Sequence, residues 1–414
     1  MAKGMRVRRI LIALALAAPL AAVPQTRAAD DPVLVALGHA SLTLQITPQQ
    51  SSQYRADYRR AVLTVSSLPK GRSRNELAAV VHILRGIAAR GALAPDVMPM
   101  AFLTLERNTQ WWATHGIPTS GGSPGEKGAQ GRKCKPLRFP KKKKHHKKKA
   151  HTTRVIAHTA RITFPGSGVV FQWYPGMGLQ VQVNGTFAQV NTDFALNTPE
   201  SVAAARATLD EMLALATRRG GAITWEYLFP FSGTQPPWTS GLSQATAIRA
   251  YLRANRVGVA RAAGALFGVR APIGIRVPLG KDGNWYALYS FAPGSLVLNA
   301  DLNAVIALHD LARVSKDPAT AALEAEGMRA LRRRIKSFDL QGVWSRYEAG
   351  GPPADLNYHV LNRDLAGALC RRTGEAAICK ASDSFARELE RRCPEATTPR
   401  ERSAPPNRPA SRTS

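Results

Sequence analysis

Two consecutive helical patterns stand in residues 298–335, LNADLNAVIALHDLARVSKDPATAALEAEGMRALRRRI. The first runs from Leu298 to Arg313. The second begins after Asp317-Pro318, where a capping carboxylate is followed by a proline in the first helical turn. Its apolar stripe consists of Ala321, Met328, Leu331 and Ile335. Together the two patterns predict a helix-turn-helix unit.

Similar helical patterns occur on both sides of this unit. Thr198-Pro199-Glu200 marks the start of one helix, and further helices are predicted at 75–90, 103–112, 242–254, 260–267, 358–371 and 375–389. Asp282-Gly283 is a turn signal for a β-hairpin between 275–277 and 285–291, and residues 178–183 alternate like a strand. Because repeated helix-turn-helix units stack to bury a common core, the chain is predicted to be mostly α.

The chain has 414 residues and a formal net charge of +29, from 57 Lys and Arg against 28 Asp and Glu, while 44% of its residues are hydrophobic. That apolar fraction excludes wholesale disorder and leaves room for one large or two medium domains. The charge is uneven, because residues 1–149 hold 26 of the basic and only 7 of the acidic side chains. The densest run of basic residues lies at 132–149 and predicts a solvated linker. The alternative is an arm that docks on a polyanion.

The amino terminus has the pattern of a secretory signal peptide. A basic start precedes the apolar run 10–22, and small residues allow cleavage after Ala28 or Ala29. We therefore expect a protein that is secreted or lies on the exterior of the cell envelope, with no integral membrane segment after cleavage and no nucleic-acid partner. A homodimer and a monomer both stay open.

The predicted parts are a signal peptide (1–29), a mixed or helical region of unknown role (30–118), a flexible Gly/Pro/Lys/His-rich linker (119–153), a helical domain (154–394) and a disordered tail (395–414). The four cysteines, Cys134, Cys370, Cys379 and Cys393, match no zinc pattern. A bridge among the last three is compatible with export, and so are buried free thiols.

Aromatic and polar residues next to glycine and proline predict a binding cleft at one end of the helix pairs. Trp238 precedes a helix whose first residues are polar, and further aromatic groups lie at 285–289, 344–347 and 357–359. Aromatic planes with hydrogen-bonding neighbours suit sugar rings. The competing interpretation for Trp238 is that its ring only packs beneath the start of the helix.

In order and spacing these segments resemble the carboxy-terminal helical domain of the D-glucuronyl C5-epimerases. The matching segments are PWTSGLSQ at 237–244, WYALYS at 285–290, VLNA at 297–300, LHDL at 308–311, SRYE at 345–348 and NYH at 357–359. The chain is identified as similar to a divergent, exported, bacterial-type member. The resemblance covers about 171–393 and implies an (α/α) toroid or incomplete barrel of paired helices with an inserted β-hairpin and a few flanking strands.

The resemblance also implies an isomerase that inverts C5 of glucuronic acid residues in an acidic, glycosaminoglycan-like polysaccharide, without cofactor or metal. The implied catalytic residues are Tyr289, Tyr347 and Tyr358. The implied substrate-binding residues are Trp238, Ser240, Gln244, Trp285, Asn299, Arg346, His359, Asn362 and Arg363. Epimerisation needs a proton to leave one face of C5 and another to reach the opposite face, which requires two acid–base groups and donors for the developing charge.

The sequence departs from the family pattern close to these residues. Leu288 stands where the family has a glutamate, Gly350-Gly351 replace an Arg-His pair, and Asn362 replaces a histidine. Two other function classes therefore stay open. One is a uronate polysaccharide lyase on a similar toroid, which begins with the same proton abstraction, and the other is a relative that binds acidic glycan without catalysis.

Overall fold

The structure is a computed structural model that describes residues 31–118, 161–340 and 342–394. The predicted signal peptide, the Lys/His-rich linker and the predicted disordered tail lie outside the described residues. Within the described ranges the protein is mostly helical, with a few small strands and no closed barrel.

The amino-terminal region consists of four helices: α1 (Pro32–Leu42), α2 (Pro48–Ser67), α3 (Arg72–Ala89) and α4 (Met98–Thr114). The helices predicted at 75–90 and 103–112 are confirmed as α3 and α4. Helices α1 and α2 were not predicted from the sequence, although α2 begins with a capping box in which Thr47 and Gln50 bond reciprocally.

A three-stranded antiparallel sheet follows, formed by β1 (Arg161–Thr163), β2 (Val170–Tyr174) and β3 (Gly178–Val181). Side chains of α3 and α4 hold β3. The buried Glu76 carboxylate accepts hydrogen bonds from the backbone N–H groups of Gly176 and Gly178, each at 2.9 Å. Asn108 exchanges two bonds with the backbone of Leu179, at 2.7 and 2.8 Å. The amino-terminal helices therefore share a hydrophobic core with the rest of the chain.

The remaining helices form four sequential pairs. They are α5 (Val183–Leu196) with α6 (Pro199–Ala214), α7 (Gly241–Arg253) with α8 (Val257–Gly264), α9 (Leu298–Ser315) with α10 (Pro318–Arg334), and α11 (Leu356–Thr373) with α12 (Ala376–Arg392). The first helices of the pairs pack side by side in the order α5, α7, α9, α11, and each is covered by its own second helix. The predicted helix-turn-helix repetition is thus confirmed.

Helix α9 lies at the centre of this arrangement. Every residue from Leu298 to Leu308 is buried, as expected for a helix packed on all sides. Tertiary contacts show that the first helices run in the same direction. Near their ends, Arg253 of α7 donates to the carbonyl of Asn191 in α5, and Arg372 of α11 pairs with Asp310 in α9. The loops that precede these helices consequently gather at one end of the molecule.

Two short antiparallel hairpins connect the pairs: β4 (Thr217–Arg219) with β5 (Ala222–Thr224), and β6 (Arg276–Pro278) with β7 (Asn284–Tyr286). The hairpin predicted at Asp282-Gly283 is confirmed, but β7 ends at Tyr286 and not at Phe291. At Ala287 the N–H still donates across the hairpin to the Ile275 carbonyl at 2.9 Å, but the Ala287 carbonyl accepts from the Gly241 N–H at the start of α7, at 3.1 Å. The strand predicted over 178–183 likewise ends at Val181, because Val183 already begins α5.

Cys370 and Cys379 form a disulfide between α11 and α12. The disulfide alternative of the sequence analysis is therefore confirmed for this pair, and no cysteine within the described ranges is a free thiol. None of the helices described is both long and apolar enough to span a bilayer.

Candidate active site

Three tyrosines meet in the loops at the end where the first helices begin. Tyr289 lies in the turn after β7, Tyr347 lies in the segment before α11, and Tyr358 lies in the first turn of α11. The phenol of Tyr347 interacts with the phenols of Tyr289 and Tyr358, and both neighbours act to raise its pKa. The rings of Tyr347 and Tyr358 meet edge to face, with their centroids 4.5 Å apart. The three residues that the sequence analysis singled out as catalytic therefore converge.

Backbone contacts fix the positions of these tyrosines. The carbonyl of Tyr347 accepts from the N–H of Leu298 at 3.1 Å, which ties its segment to the first turn of α9. The N–H of Tyr358 donates to the Asp355 carboxylate at 2.9 Å, because Asp355 caps α11. The positions of two of the three tyrosines are thus fixed by the first turns of neighbouring parallel helices.

An apolar floor lies beneath Tyr289 and Tyr347. It consists of Leu288, Val297 and Ala300, all buried. Leu288 occupies the place of the family glutamate, so the floor has no carboxylate at that point. The acid next to this floor is Glu348, which accepts from the Ser295 hydroxyl at 2.7 Å and whose charge acts on Tyr289.

Burial keeps the phenols protonated. It raises the pKa of Tyr289 to about 12, and the charges of Tyr358 and Glu348 contribute in the same direction. The pKa of Tyr347 lies well above its ordinary value, first through burial and then through the neighbouring phenols. Both groups are therefore proton donors at neutral pH.

An aromatic cluster surrounds Tyr289. The rings of Phe231, Phe291 and Trp238 lie with centroids 5.3, 5.4 and 5.9 Å from that of Tyr289. Trp238 is only 6% exposed; its ring stacks on Tyr227 at 4.3 Å, and its Nε1–H donates to the Phe229 carbonyl. Trp238 thus forms part of the wall, whereas the half-buried Phe231 and Phe291 form the accessible rim.

A buried polar network next to this aromatic cluster was not predicted from the sequence. The hydroxyl of Tyr227 bonds to Ser243 at 2.8 Å, and Gln182 donates to the hydroxyl of Tyr174 at 3.0 Å. Burial raises the pKa of both tyrosines, and the charge of Arg161 acts on both in the opposite direction. The exposed Arg161 therefore places a positive charge near this network. The alternation of β3 was visible in the sequence, but the pairing that brings Arg161 opposite Gln172 was not.

Five of the predicted substrate-binding residues are buried and engaged within the protein. Ser240 caps α7, Gln244 donates to the carbonyls of Ile223 and Ala263, and Trp285 stacks on Phe338. Asn362 donates to the Ser345 hydroxyl. The fifth is His359, whose Nδ1 accepts from the Ser345 N–H at 3.1 Å, so its Nε2 carries the proton that faces the Phe385 carbonyl. Burial lowers the pKa of His359 to about 4.

Arg346, Arg363 and Asn299, which were also predicted to bind substrate, differ in whether they have hydrogen-bond or ion-pair partners within the protein. The Arg346 guanidinium donates to the Gly351 carbonyl, and Arg363 pairs with the neighbouring Asp364. Asn299 lies fully buried in the first turn of α9, and neither polar atom of its amide has a partner within the described chain. Contact of any of these residues with a substrate stays a prediction.

Gly351 explains one departure from the family pattern. A Cβ atom at this position would lie 2.5 Å from the Glu348 Cγ, and Gly350 adopts a positive φ of 71° in the same turn. The Glu348 side chain therefore occupies space that a side chain at residue 351 would need. Within the described ranges, no group of three or more His, Cys, Asp or Glu side chains is arranged to bind a metal ion.

Comparison with known protein families matches residues 219–387 to the D-glucuronyl C5-epimerase C-terminus. The matched segment begins at β4 and ends within α12, and it includes all three converging tyrosines. The resemblance described above is therefore confirmed for this part of the chain. A search of curated proteins finds no match.

Proposed function

We propose that this protein is a uronosyl C5-epimerase that acts on glucuronic acid residues of an acidic polysaccharide. The observation that carries the proposal is the convergence of Tyr289, Tyr347 and Tyr358 within the segment that matches the epimerase C-terminus. The four helix pairs would form an incomplete (α/α) toroid with this cleft at one end.

Electrostatics support an anionic substrate. Helices α5, α7, α9 and α11 all begin at the cleft, and the amino-terminal end of a helix carries a partial positive charge. Arg161 adds a full charge at the rim. A uronate carboxylate would be stabilised there, while the apolar faces of its sugar ring would stack on Phe231 and Phe291.

The tyrosine arrangement suits proton removal and return on opposite faces of C5. Loss of the C5 proton leaves an electron pair that spreads into the carboxylate as an enolate, and donors must stabilise that charge. Tyr347 lies between Tyr289 and Tyr358, so its hydroxyl can pass a proton from one to the other. The two outer phenols would face opposite sides of the ring. One of them, ionised to a phenolate, would take the C5 proton, and the other, still protonated, would donate its proton to the opposite face. Relay of a proton through the Tyr347 hydroxyl would then restore the starting state.

Incubation of a glucuronate-containing polysaccharide with the protein in deuterated water tests the proposal. An epimerase incorporates deuterium at C5, which is detected by mass spectrometry and NMR. Tyr347→Phe removes the central hydroxyl but keeps the ring, and it should lower the exchange rate by about 10²- to 10⁴-fold, the usual contribution of a positioned acid–base group. Tyr54→Phe, in the amino-terminal helices, is the matched control and should exchange like wild type.

The other outcomes distinguish the alternative functions. An unsaturated product that absorbs in the ultraviolet would identify a lyase, because elimination follows the same proton abstraction. Binding of the polysaccharide with neither deuterium at C5 nor an unsaturated product, across several glucuronate-containing glycans, would overturn both enzymatic functions and identify a glycan-binding protein. Unchanged exchange in Tyr347→Phe would refute the role of the tyrosine relay.

A further inference from the structure

A charged cavity lies at the opposite end of the helices from the tyrosines. It has a volume of about 320 Å³ and is lined by the ends of α7, α9 and α11, including Arg249, Arg253, Asp310, Arg313 and Arg372. Twelve residues of α9 separate Leu298, next to Tyr347, from Asp310, which corresponds to about 18 Å along the helix axis. The cavity is therefore separate from the candidate active site.

The arginines greatly exceed the acid in this cavity. Arg372 binds Asp310 through two nitrogens, at 2.7 and 3.0 Å, and this pair is satisfied. Arg253 donates only to the Asn191 carbonyl, and neither it nor Arg313 has a carboxylate partner within the described ranges. The residues that line the cavity thus carry a formal charge of +3.

Arg249 is the most informative of these side chains. Its single hydrogen bond within the described chain runs from Nη1 to the Asn303 Oδ1 at 3.1 Å, and its side chain lines the cavity. Burial lowers its pKa, and the nearby charge of Arg372 acts in the same direction. The charge of Asp310 acts in the opposite direction, but its carboxylate is already bound by Arg372. An anion in the cavity would offset the remaining cost of burying the Arg249 cation.

A simpler explanation accounts for part of the cluster. Arginines in the last turn of a helix stabilise its negative end, and Arg253, Arg313 and Arg372 all occupy such positions. Arg249 does not, because it lies one full turn before the end of α7 and donates to a side chain of α9. The helix ends therefore explain three of the arginines but not the inward-facing fourth.

We propose that this arginine cavity binds a doubly charged oxyanion, a sulfate or a phosphate monoester. Guanidinium groups match such oxyanions with paired N–H···O bonds, and Arg249, Arg253 and Arg313 can approach one ion from three helical positions on α7 and α9. The anion could be an ester group on a polysaccharide or a free inorganic ion, since both present the same oxygens.

Isothermal titration calorimetry of the full-length protein tests the site. The titrants are inorganic sulfate and inorganic phosphate, at a constant ionic strength set by chloride. Arg313→Gln removes an exposed charge without threatening the core and should weaken binding by about tenfold, or about 1.4 kcal/mol. Arg249→Met keeps the side-chain stem and should abolish binding. Arg261→Gln, an exposed arginine on α8, is the matched control and should bind like wild type.

The outcomes separate the sources of the anion. If a sulfated oligosaccharide binds more tightly than its desulfated counterpart, and Arg313→Gln loses this difference, the ester group is the ligand. If inorganic sulfate and the sulfated oligosaccharide bind equally, the ligand is the free ion. Absence of any heat beyond that of chloride, or wild-type affinity in Arg313→Gln and Arg249→Met together, would overturn the proposal. Retention of C5 exchange by Arg313→Gln would show that the site is independent of the epimerase proposal.

Discussion

Replacement of Glu76 by Gln should uncouple the amino-terminal helices from the rest of the fold. The Glu76 carboxylate lies on α3 but bonds to the backbone between β2 and β3, a hundred residues later in the chain. It is only 4% exposed. The substitution keeps the shape of the side chain and removes only its charge and one acceptor oxygen.

The size of the effect follows from the bonds that change. Two backbone N–H groups, of Gly176 and Gly178, bond to this carboxylate, and a hydrogen bond to a charged group contributes about 1.5–3 kcal/mol. The amide of glutamine retains one acceptor, so about half of that contribution is lost. We expect the free energy of unfolding to fall by about 1.5–3 kcal/mol, half of the combined contribution of the two bonds.

Urea unfolding followed by circular dichroism measures this change. The midpoint should move to lower urea at an unchanged slope, since the same surface is exposed on unfolding. Glu106→Gln is the control, because Glu106 bonds only to the exposed Gln110 side chain, and it should change stability by less than about 0.5 kcal/mol. Equal stability of both variants would refute the role of Glu76 as the tie between the two parts.

Two further predictions concern the helical domain. Burial raises the pKa of Glu388 to about 7, above its ordinary 4.5, so the folded state favours the neutral carboxyl group. The stability of the wild-type protein should therefore fall as the pH rises from about 4.5 to about 7. Thermal unfolding of Glu388→Gln should show no such fall. Gly351→Ala should lower the rate of C5 exchange, because the new methyl group would displace Glu348 from beside the tyrosines.

Each of these two predictions has its own control. For Glu388→Gln the two proteins should agree below about pH 4.5 and diverge above it, and a parallel pH dependence would contradict the assignment. For Gly351→Ala the control is Gly294→Ala, because a Cβ atom at residue 294 would meet no atom within 4 Å. Equal loss of exchange in both glycine variants would mean that the turn at Gly351 has no special role.

Much of the fold was predictable because its helices carry their own start signals. Thr198-Pro199 and Asp317-Pro318 both cap helices as expected. Helix α5 was missed, because the alternating residues before it continue into Val183 and α5 begins without a side-chain cap. The end of β7 was also missed, since it depends on a backbone bond to the start of α7 that no local pattern records.

The candidate site was predictable only in part. The three tyrosines belong to ordered segments that the family pattern preserves, so their convergence could be anticipated. The engagement of Gln244 and His359 could not, because their partners, such as the Ala263 and Phe385 carbonyls, come from other elements. The position of Arg161 beside Tyr227 likewise depends on the antiparallel register of β1 and β2.

The parallel direction of α5, α7, α9 and α11 has a consequence for how such a protein can diverge. The segments that shape the cleft all enter these helices from one side, and the packed helix bodies lie beyond them. Insertions and deletions in those segments would therefore reshape the cleft while leaving the buried faces of the helices in register. A lineage could thus exchange one ligand for another through loop changes alone, on an unaltered scaffold.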